Sequence, residues 1–194
     1  EVIDPKTGEI SKAEVFVAAL GASGYSYAEA SMSQKKHDFI ASHVRAFKFF
    51  GGCTEILVPD NLKSAVTRAN WHDPDINESY QDMAEHYGTV VLPARPYKPK
   101  DKSKAELSVK LVQRWILAKL RHRQFFSLHE LNEAIWELLD DLNNRKMRHL
   151  GKSRRELFEE LDQPALKALP DRTYIYRDFK DCKVNIDYHI LLEK

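Results

Sequence analysis

Two apolar runs separated by a glycine-containing break, then helices alternating with short apolar segments, set the tightest limit on what this chain can fold into. Residues 13–20 (AEVFVAAL) are β-branched and apolar enough for a buried strand, and after the break at Ser23-Gly24 residues 25–31 (YSYAEAS) alternate as its neighbour. Ahead of them, residues 1–3 read as a strand end running into Asp4-Pro5-Lys6-Thr7-Gly8-Glu9, a tight turn in which Pro fixes φ and Gly supplies a positive φ. Next, Phe39, Ile40, His43, Val44, Phe47 and Phe50 recur at helical spacing, and Gly51-Gly52 ends that helix. Residues 54–58 form a strand that delivers Asp60. A polar loop spans 71–77, a helix over 80–87 stops at Gly88, and residues 89–92 make another short strand.

The resulting order, β-β-β-α-β-α-β-α, predicts an α/β fold: a ribonuclease H-like mixed five-stranded sheet flanked by helices. Ser127 and Glu130 spell a capping box for a long helix whose Leu128, Leu131, Ile135, Leu138, Leu139 and Leu142 share one face and must cover something. Beyond residue 150 the character changes: a short helix over 156–161, a linker over 164–170, and strand-like stretches at 173–176 and 184–192. The expected division is a catalytic-type core over residues 1–150, lacking all or part of its first strand, and over 151–194 a linker with the start of a small β module.

A hydrophobic content of 43% over 194 residues supports a real core, while a net charge of +1 says nothing of a partner. The distribution does. Residues 95–123 hold ten Lys/Arg against Asp101 and Glu106; residues 126–143 hold five acids and no Lys or Arg; residues 144–155 hold six basic residues and no acid. Cys53 and Cys182 lack any CxxC or zinc-finger spacing and read as buried free thiols. No apolar run reaches the roughly 20 residues of a membrane span and no signal peptide opens the chain, so a cytoplasmic place without membrane contact is expected. A start without Met suggests a partial piece.

Two acids carry the chemistry. Asp60 follows the apolar run 55–59, at the carboxyl end of a strand where ligands gather in open α/β sheets, although Asp there is also a favoured helix N-cap. Glu106 reads as opening an amphipathic helix, and Ser103-Lys104-Ala105-Glu106 could equally be a capping box. On a helical wheel Leu107, Leu111, Val112, Trp115, Ile116, Ala118 and Leu120 take one sector, while Glu106, Lys110, Gln113, Arg114 and Arg121 take the other. The approach 95–104 (RPYKPKDKSK) adds five cations and two prolines, a poor helix former able to lie along a phosphate backbone, with Tyr97 the best stacking residue. Paired carboxylates among cations can hold a divalent metal against a phosphodiester. Trp71, Trp115 and Trp136 read as core or loop packing. HExxH, a Gly-rich phosphate loop and GxSxG are all absent from the sequence, so ATPase and serine-hydrolase readings have no footing.

These residues resemble a known family. Ala18-Ala19-Leu20 with Ala22-Ser23-Gly24-Tyr25, then Val58-Pro59-Asp60-Asn61, then Tyr97-Lys98-Pro99 with Lys104-Ala105-Glu106, resemble the retroviral-integrase catalytic core. More closely, Ile3-Asp4-Pro5-Lys6-Thr7-Gly8-Glu9, Leu20-Gly21-Ala22-Ser23, Tyr27-Ala28-Glu29-Ala30, Asp60-Asn61-Leu62-Lys63, Asp140-Asp141-Leu142-Asn143-Asn144-Arg145 and Asp187-Tyr188-His189 look like the IstA-type transposases of bacterial insertion sequences, nearly end to end.

The resemblance implies a DDE polynucleotidyl transferase that nicks transposon ends and joins the freed 3′ hydroxyls to target DNA. It also implies a homo-oligomer on DNA, an AAA+ helper ATPase, Mg²⁺ or Mn²⁺, and a bacterial, nucleoid-associated place. Asp60 takes the second acid and Glu106 the third. Lys110 and Gln113 take DNA-contacting positions, joined as expected contacts by Asn61, Lys63, Arg95, Tyr97, Lys98, Lys100, Lys102, Lys104, Arg114 and Arg121. The first acid is expected upstream of Glu1, leaving this piece inactive alone; Asp4 is the local substitute. Two other readings stand beside it: a ribonuclease H-like nuclease that only hydrolyses, and a non-catalytic DNA-binding and oligomerisation fragment.

Overall fold

The structure, a computed structural model, describes residues 1–59, 66–68, 75–92 and 99–179. At the N-terminus β1 (Val2–Ile3) and β2 (Ile10–Ser11) pair antiparallel. Their turn is closed by Asp4, whose Oδ1 accepts the N–H groups of Lys6 (2.7 Å) and Thr7 (3.2 Å), with Gly8 at φ 72°. On its other side β1 donates the Ile3 N–H to the Phe125 carbonyl at 2.8 Å.

The predicted apolar pair forms β3 (Glu14–Ala19) and β4 (Ser26–Ser31), antiparallel from Glu14↔Ser31 to Ala19↔Ser26. Every residue of β4 is buried. One face carries Tyr27 and Glu29, the other the small Ser26, Ala28 and Ala30, since successive side chains alternate. The intervening turn is held from far along the chain by Asp162, whose carboxylate accepts the N–H groups of Ala22 (3.3 Å) and Ser23 (2.9 Å).

Helix α1 (Lys36–Phe50) ends as its glycines dictate, with Gly51 at φ 72° and the Gly51 and Gly52 N–H groups donating to the Lys48 and Phe47 carbonyls. Beyond it β5 (Ile56–Leu57) pairs in parallel with β8 (Val90–Val91). Between them lie an unpredicted hairpin, β6 (Val66–Arg68) with β7 (Asp75–Ile76), and α2 (Glu78–His86), capped by the Asn77 side chain at the Ser79 N–H. Among the described residues the strands pair only two by two, so the first three predicted strands are not one antiparallel set. Val2–Ile3 is satisfied by β2 and Phe125 instead of joining β3.

Helix α3 (Pro99–Val112) continues through a π-helical stretch (Gln113–Leu117) into α4 (Ala118–Leu120). Ser108, Val112, Ile116 and Leu120 are buried at intervals of four, wider than the 3.6 of an α-helix, and the wider π turn keeps that stripe on the core. Helix α5 (Leu128–Asn144) starts at Ser127, whose Oγ accepts the Glu130 N–H at 3.0 Å; Glu130 in turn accepts the Phe126 N–H rather than that of the cap residue.

What α5 covers is the outer edge of β4. Asn143 accepts the Ser26 N–H (3.1 Å) and donates to the Ser26 carbonyl (2.8 Å), and Asn132 does the same to Ala30 (2.6 and 3.0 Å). Eleven helical residues advance about 16 Å and four strand residues about 13 Å, close enough for both amides to act as strand surrogates and close the edge.

Two apolar clusters form the core. One joins Tyr25, Ala28, Phe50, Val112, Ile116, Ile135, Leu139 and Phe158; the other joins Ile40, Val44, Phe47, Tyr80, Met83, Tyr87, Val91 and Tyr174. Residues 153–165 run through α6 (Arg154–Leu157), with a Ser153/Glu156 capping box, a π turn (Phe158–Asp162) and a 3-10 turn (Gln163–Ala165). The predicted linker packs down: Cys53 and Lys167 exchange both backbone bonds at 2.9 Å, and a Cβ on Gly52 would meet Leu166 and Lys167 at 2.8 Å. Thr173–Tyr176, expected as strand, pairs with none among the described residues. There the Tyr174 hydroxyl donates to the Asp82 carboxylate at 2.7 Å, and Lys36 meets Asp178 at 2.9 Å. Cys53 is a buried free thiol, its pKa pushed up to about 11 by burial; Cys182 lies outside the described residues. Among the described residues no helix is long and apolar enough to cross a membrane.

Candidate carboxylate site and nucleic-acid interface

The parallel pair aims the chain. β5 and β8 point their carboxyl ends the same way, and buried Pro59 lies two residues past the end of β5, directly before Asp60. Asp60, Asn61, Lys63, Arg95, Tyr97 and Lys98 themselves lie outside the described residues, as does Trp71.

Glu106 is described, and its place corrects the sequence expectation. It does not open a helix: α3 begins at Pro99, so Glu106 lies about 10 Å along it. Pro99 takes the first helical position, where its missing N–H costs nothing and its fixed φ is already helical; the Ser103 capping box is therefore not the start. The segment expected as an extended phosphate track is helical over 99–104, so Lys100, Lys102 and Lys104 belong to the first turns of α3.

The wheel itself holds. Glu106, Lys110, Gln113, Arg114 and Arg121 are all exposed, whereas Val112, Ile116 and Leu120 are buried and Leu111, Trp115 and Ala118 half-buried. Leu107 departs from it, being 54% exposed beside Glu106. Among the described residues the Glu106 carboxylate has no hydrogen bond or ion pair, so it is free to take a cation, while Arg121 spends its Nε–H on the Ala118 carbonyl at 3.1 Å. Asp4, the local substitute for a first acid, is committed to its own turn. No group of three metal-ligating side chains comes together among the described residues.

Several arrangements had no sequence signal. Glu29, 2% exposed, accepts both Nε (2.7 Å) and Nη2 (2.7 Å) of Arg45 and the Tyr27 hydroxyl (2.8 Å); burial raises the Tyr27 pKa, reinforced by the Glu29 charge. Asp140, one of the residues carrying the resemblance, receives Arg155 at 2.7 Å and the Asn144 amide at 2.9 Å. Of the tryptophans, Trp136 is 39% exposed instead of core, and Trp115 lies under the Arg145 guanidinium at 3.9 Å.

This arrangement of strands and helices is the fold of the integrase catalytic core. The bovine immunodeficiency virus integrase core matches with a TM-score of 0.61 at 14% identity, over 79% of this chain and 90% of that one. The HTLV-2 integrase catalytic core domain in complex with magnesium matches with 0.57 at 15% identity, over 76% and 86%.

In sequence the chain is 55% identical over 193 residues to a putative transposase of Sinorhizobium fredii, covering 100% of this chain and 37% of that protein. It is 53% identical over 189 residues to a putative transposase for insertion sequence IS1162 of Pseudomonas fluorescens, covering 97% and 34%. The chain thus spans about a third of the length of these curated relatives. No family model matches it.

Proposed function

We propose that this chain is the catalytic-core segment of an IstA-type insertion-sequence transposase, a DDE polynucleotidyl transferase that cuts transposon ends and transfers the strands to target DNA. One observation carries the reading: Glu106 presents a carboxylate with no partner among the described residues on a cationic helix face, in an integrase-core fold whose sequence relatives are named transposases. Asp60 and Glu106 hold Mg²⁺ or Mn²⁺, with the first acid supplied from outside residues 1–194 on a strand that completes the five-stranded sheet by joining β3 to β5. The Asp4 Oδ1 accepts two N–H groups of its own turn, which supports an acid from elsewhere over Asp4. A bound divalent cation supplies Lewis acidity at the phosphodiester. Lys110, Gln113 and Arg114, with Asn61, Lys63, Arg95, Tyr97, Lys98, Lys100, Lys102, Lys104 and Arg121, hold and orient the DNA backbone, so affinity falls steeply with salt. In this reading residues 1–150 are the core and 151–194 lead to a further module, Phe158 and Tyr174 packing into the apolar clusters of the core on the way. The whole protein works as a homo-oligomer in the cytoplasm with the nucleoid and an AAA+ helper ATPase.

The test uses the full-length protein: Asp60→Asn and Glu106→Gln should each abolish metal-dependent strand transfer on a labelled transposon end while leaving end binding intact. Joined products retained by either variant would overturn the assignment. Cleavage without any joined product from the unaltered protein would favour the hydrolytic nuclease, and neither cleavage nor joining would favour the assembly module.

A further inference from the structure

The six basic residues of 145–155 divide into two groups. Arg154 is buried and donates to the Leu142 carbonyl at 3.2 Å, Arg155 spans Asn144 and Asp140 at 2.7 Å each, and Lys152 pairs with Glu160. These three hold the segment to α5 and the turn after α6. Arg145, Lys146 and Arg148 are exposed and make no salt bridge among the described residues; Arg145 stacks on Trp115, and Lys146 is near enough to Glu156 to help lower its pKa. They lie on a turn fixed at its base by Met147 N–H to Lys152 O (2.9 Å) and Gly151 N–H to Met147 O (2.8 Å), with Gly151 at φ 67°. Leu150 stands out at the tip, 53% exposed. The turn therefore presents Lys146 and Arg148 to solvent without a salt bridge among the described residues, beside three cations that are already paired.

We propose that this turn is a second contact for the phosphate backbone of duplex DNA, separate from the Glu106 face; the identity of the anion rests on the functional reading above. Trp115, under Arg145, is half-buried against the first apolar cluster whereas Glu106 is exposed on the polar face of the same helix, so the two cationic surfaces face different ways. Below the turn a cleft of about 320 Å³ is lined by Trp115, Lys119, Asp141 and Arg145. Asp141 in its lining disfavours an anion inside the cleft, which leaves Lys146 and Arg148, outside the lining, as the phosphate contacts. Arg145 sits at the C-terminal end of α5, where a cation is favoured by the helix dipole alone, so the test leaves it untouched.

The experiment titrates the full-length protein into a fluorescent 30-base-pair duplex at several salt concentrations. Lys146→Gln with Arg148→Gln should weaken binding roughly tenfold and lower the slope of log affinity against log salt by about 2, one phosphate per cation. The charge-conserving pair Lys146→Arg with Arg148→Lys should keep the wild-type slope. Lys110→Gln with Arg114→Gln separates the two ideas. If only this stripe variant weakens, the turn proposal fails and the functional reading stands; if only the turn variant weakens, the turn proposal stands and the stripe assignment fails. An unchanged slope in the glutamine turn variant, an equal loss in the charge-conserving variant, or a changed sedimentation coefficient with unchanged DNA affinity would each overturn the turn proposal. The last would assign the turn to contacts between protein copies.

Discussion

Replacing Asn143 by Ala removes both bonds that close the β4 edge at Ser26. Ser26 and Asn143 are fully buried, so water cannot replace the lost partner, and one N–H and one C=O are stranded. At about 1–3 kcal/mol for each buried unsatisfied group the loss comes to about 2–6 kcal/mol, out of the roughly 5–15 kcal/mol that holds a domain together. A value near 3 kcal/mol would lower the melting temperature by about 6–12 °C at this chain length. Urea unfolding followed by circular dichroism measures the loss, and amide exchange localises it: the Ser26 N–H should become the fastest-exchanging amide of β4. Asn143→Asp sharpens the argument, because at neutral pH it keeps an acceptor for the Ser26 N–H but points a carboxylate at the Ser26 carbonyl. It should be at least as unstable as the alanine variant at pH 7 and recover as the carboxyl protonates. A stability within about 0.5 kcal/mol of wild type for Asn143→Ala would refute the claim that the amide stands in for a strand.

His43 makes stability pH-dependent: burial, against the opposing Phe39 carbonyl bond and Glu29 charge, lowers its pKa from 6.5 to about 4. Its Nδ1–H donates to the Phe39 carbonyl at 2.9 Å and its Nε2 accepts from Tyr80 at 3.0 Å, so the folded ring is neutral. The unfolded chain takes the proton first, and this stability is present above pH 6.5 and lost as pH falls towards 4. Wild type should therefore lose about 2 kcal/mol more than His43→Gln between pH 7 and pH 5 in parallel urea titrations; equal losses would contradict it. Arg45→Met strands the buried Glu29 carboxylate; because Arg45 is itself half-exposed, the cost should be about 2 kcal/mol, below the 3–5 kcal/mol of a fully buried pair. Adding Glu29→Gln should recover part of that cost, and a double variant no better than Arg45→Met in thermal melts would show that the charge is not the cause.

The sequence made legible what is local. Gly51 ends α1 and Gly88 follows α2 because positive φ is written in residue type, and the apolar spacing of 39–50 and 128–142 found both helices. The start of α3 differs from the expectation because the prolines of 95–104 argue against a helix by residue type, whereas Pro99 at the first helical position costs nothing, and residue type alone does not say which position a proline takes. The asparagine edge was invisible because its partners lie 102 and 117 residues away and an Asn in a helix looks the same whether it faces water or a strand. For the candidate site, the wheel placed the polar face of Glu106, Lys110, Gln113 and Arg114 correctly, since that depends only on helical period. Sorting the cations of 145–155 into paired and unpaired ones depended on Asp140, Glu160 and the Leu142 carbonyl, which only the tertiary fold brings near.

Helix α1 gives Ala46 and Phe50 to one apolar cluster and Ile40, Val44 and Phe47 to the other. It is a party wall. Neither chamber can be flooded without wetting the back of the other, so the described body should melt in one step, and an injury beside Tyr80 should be felt as far off as Ile135.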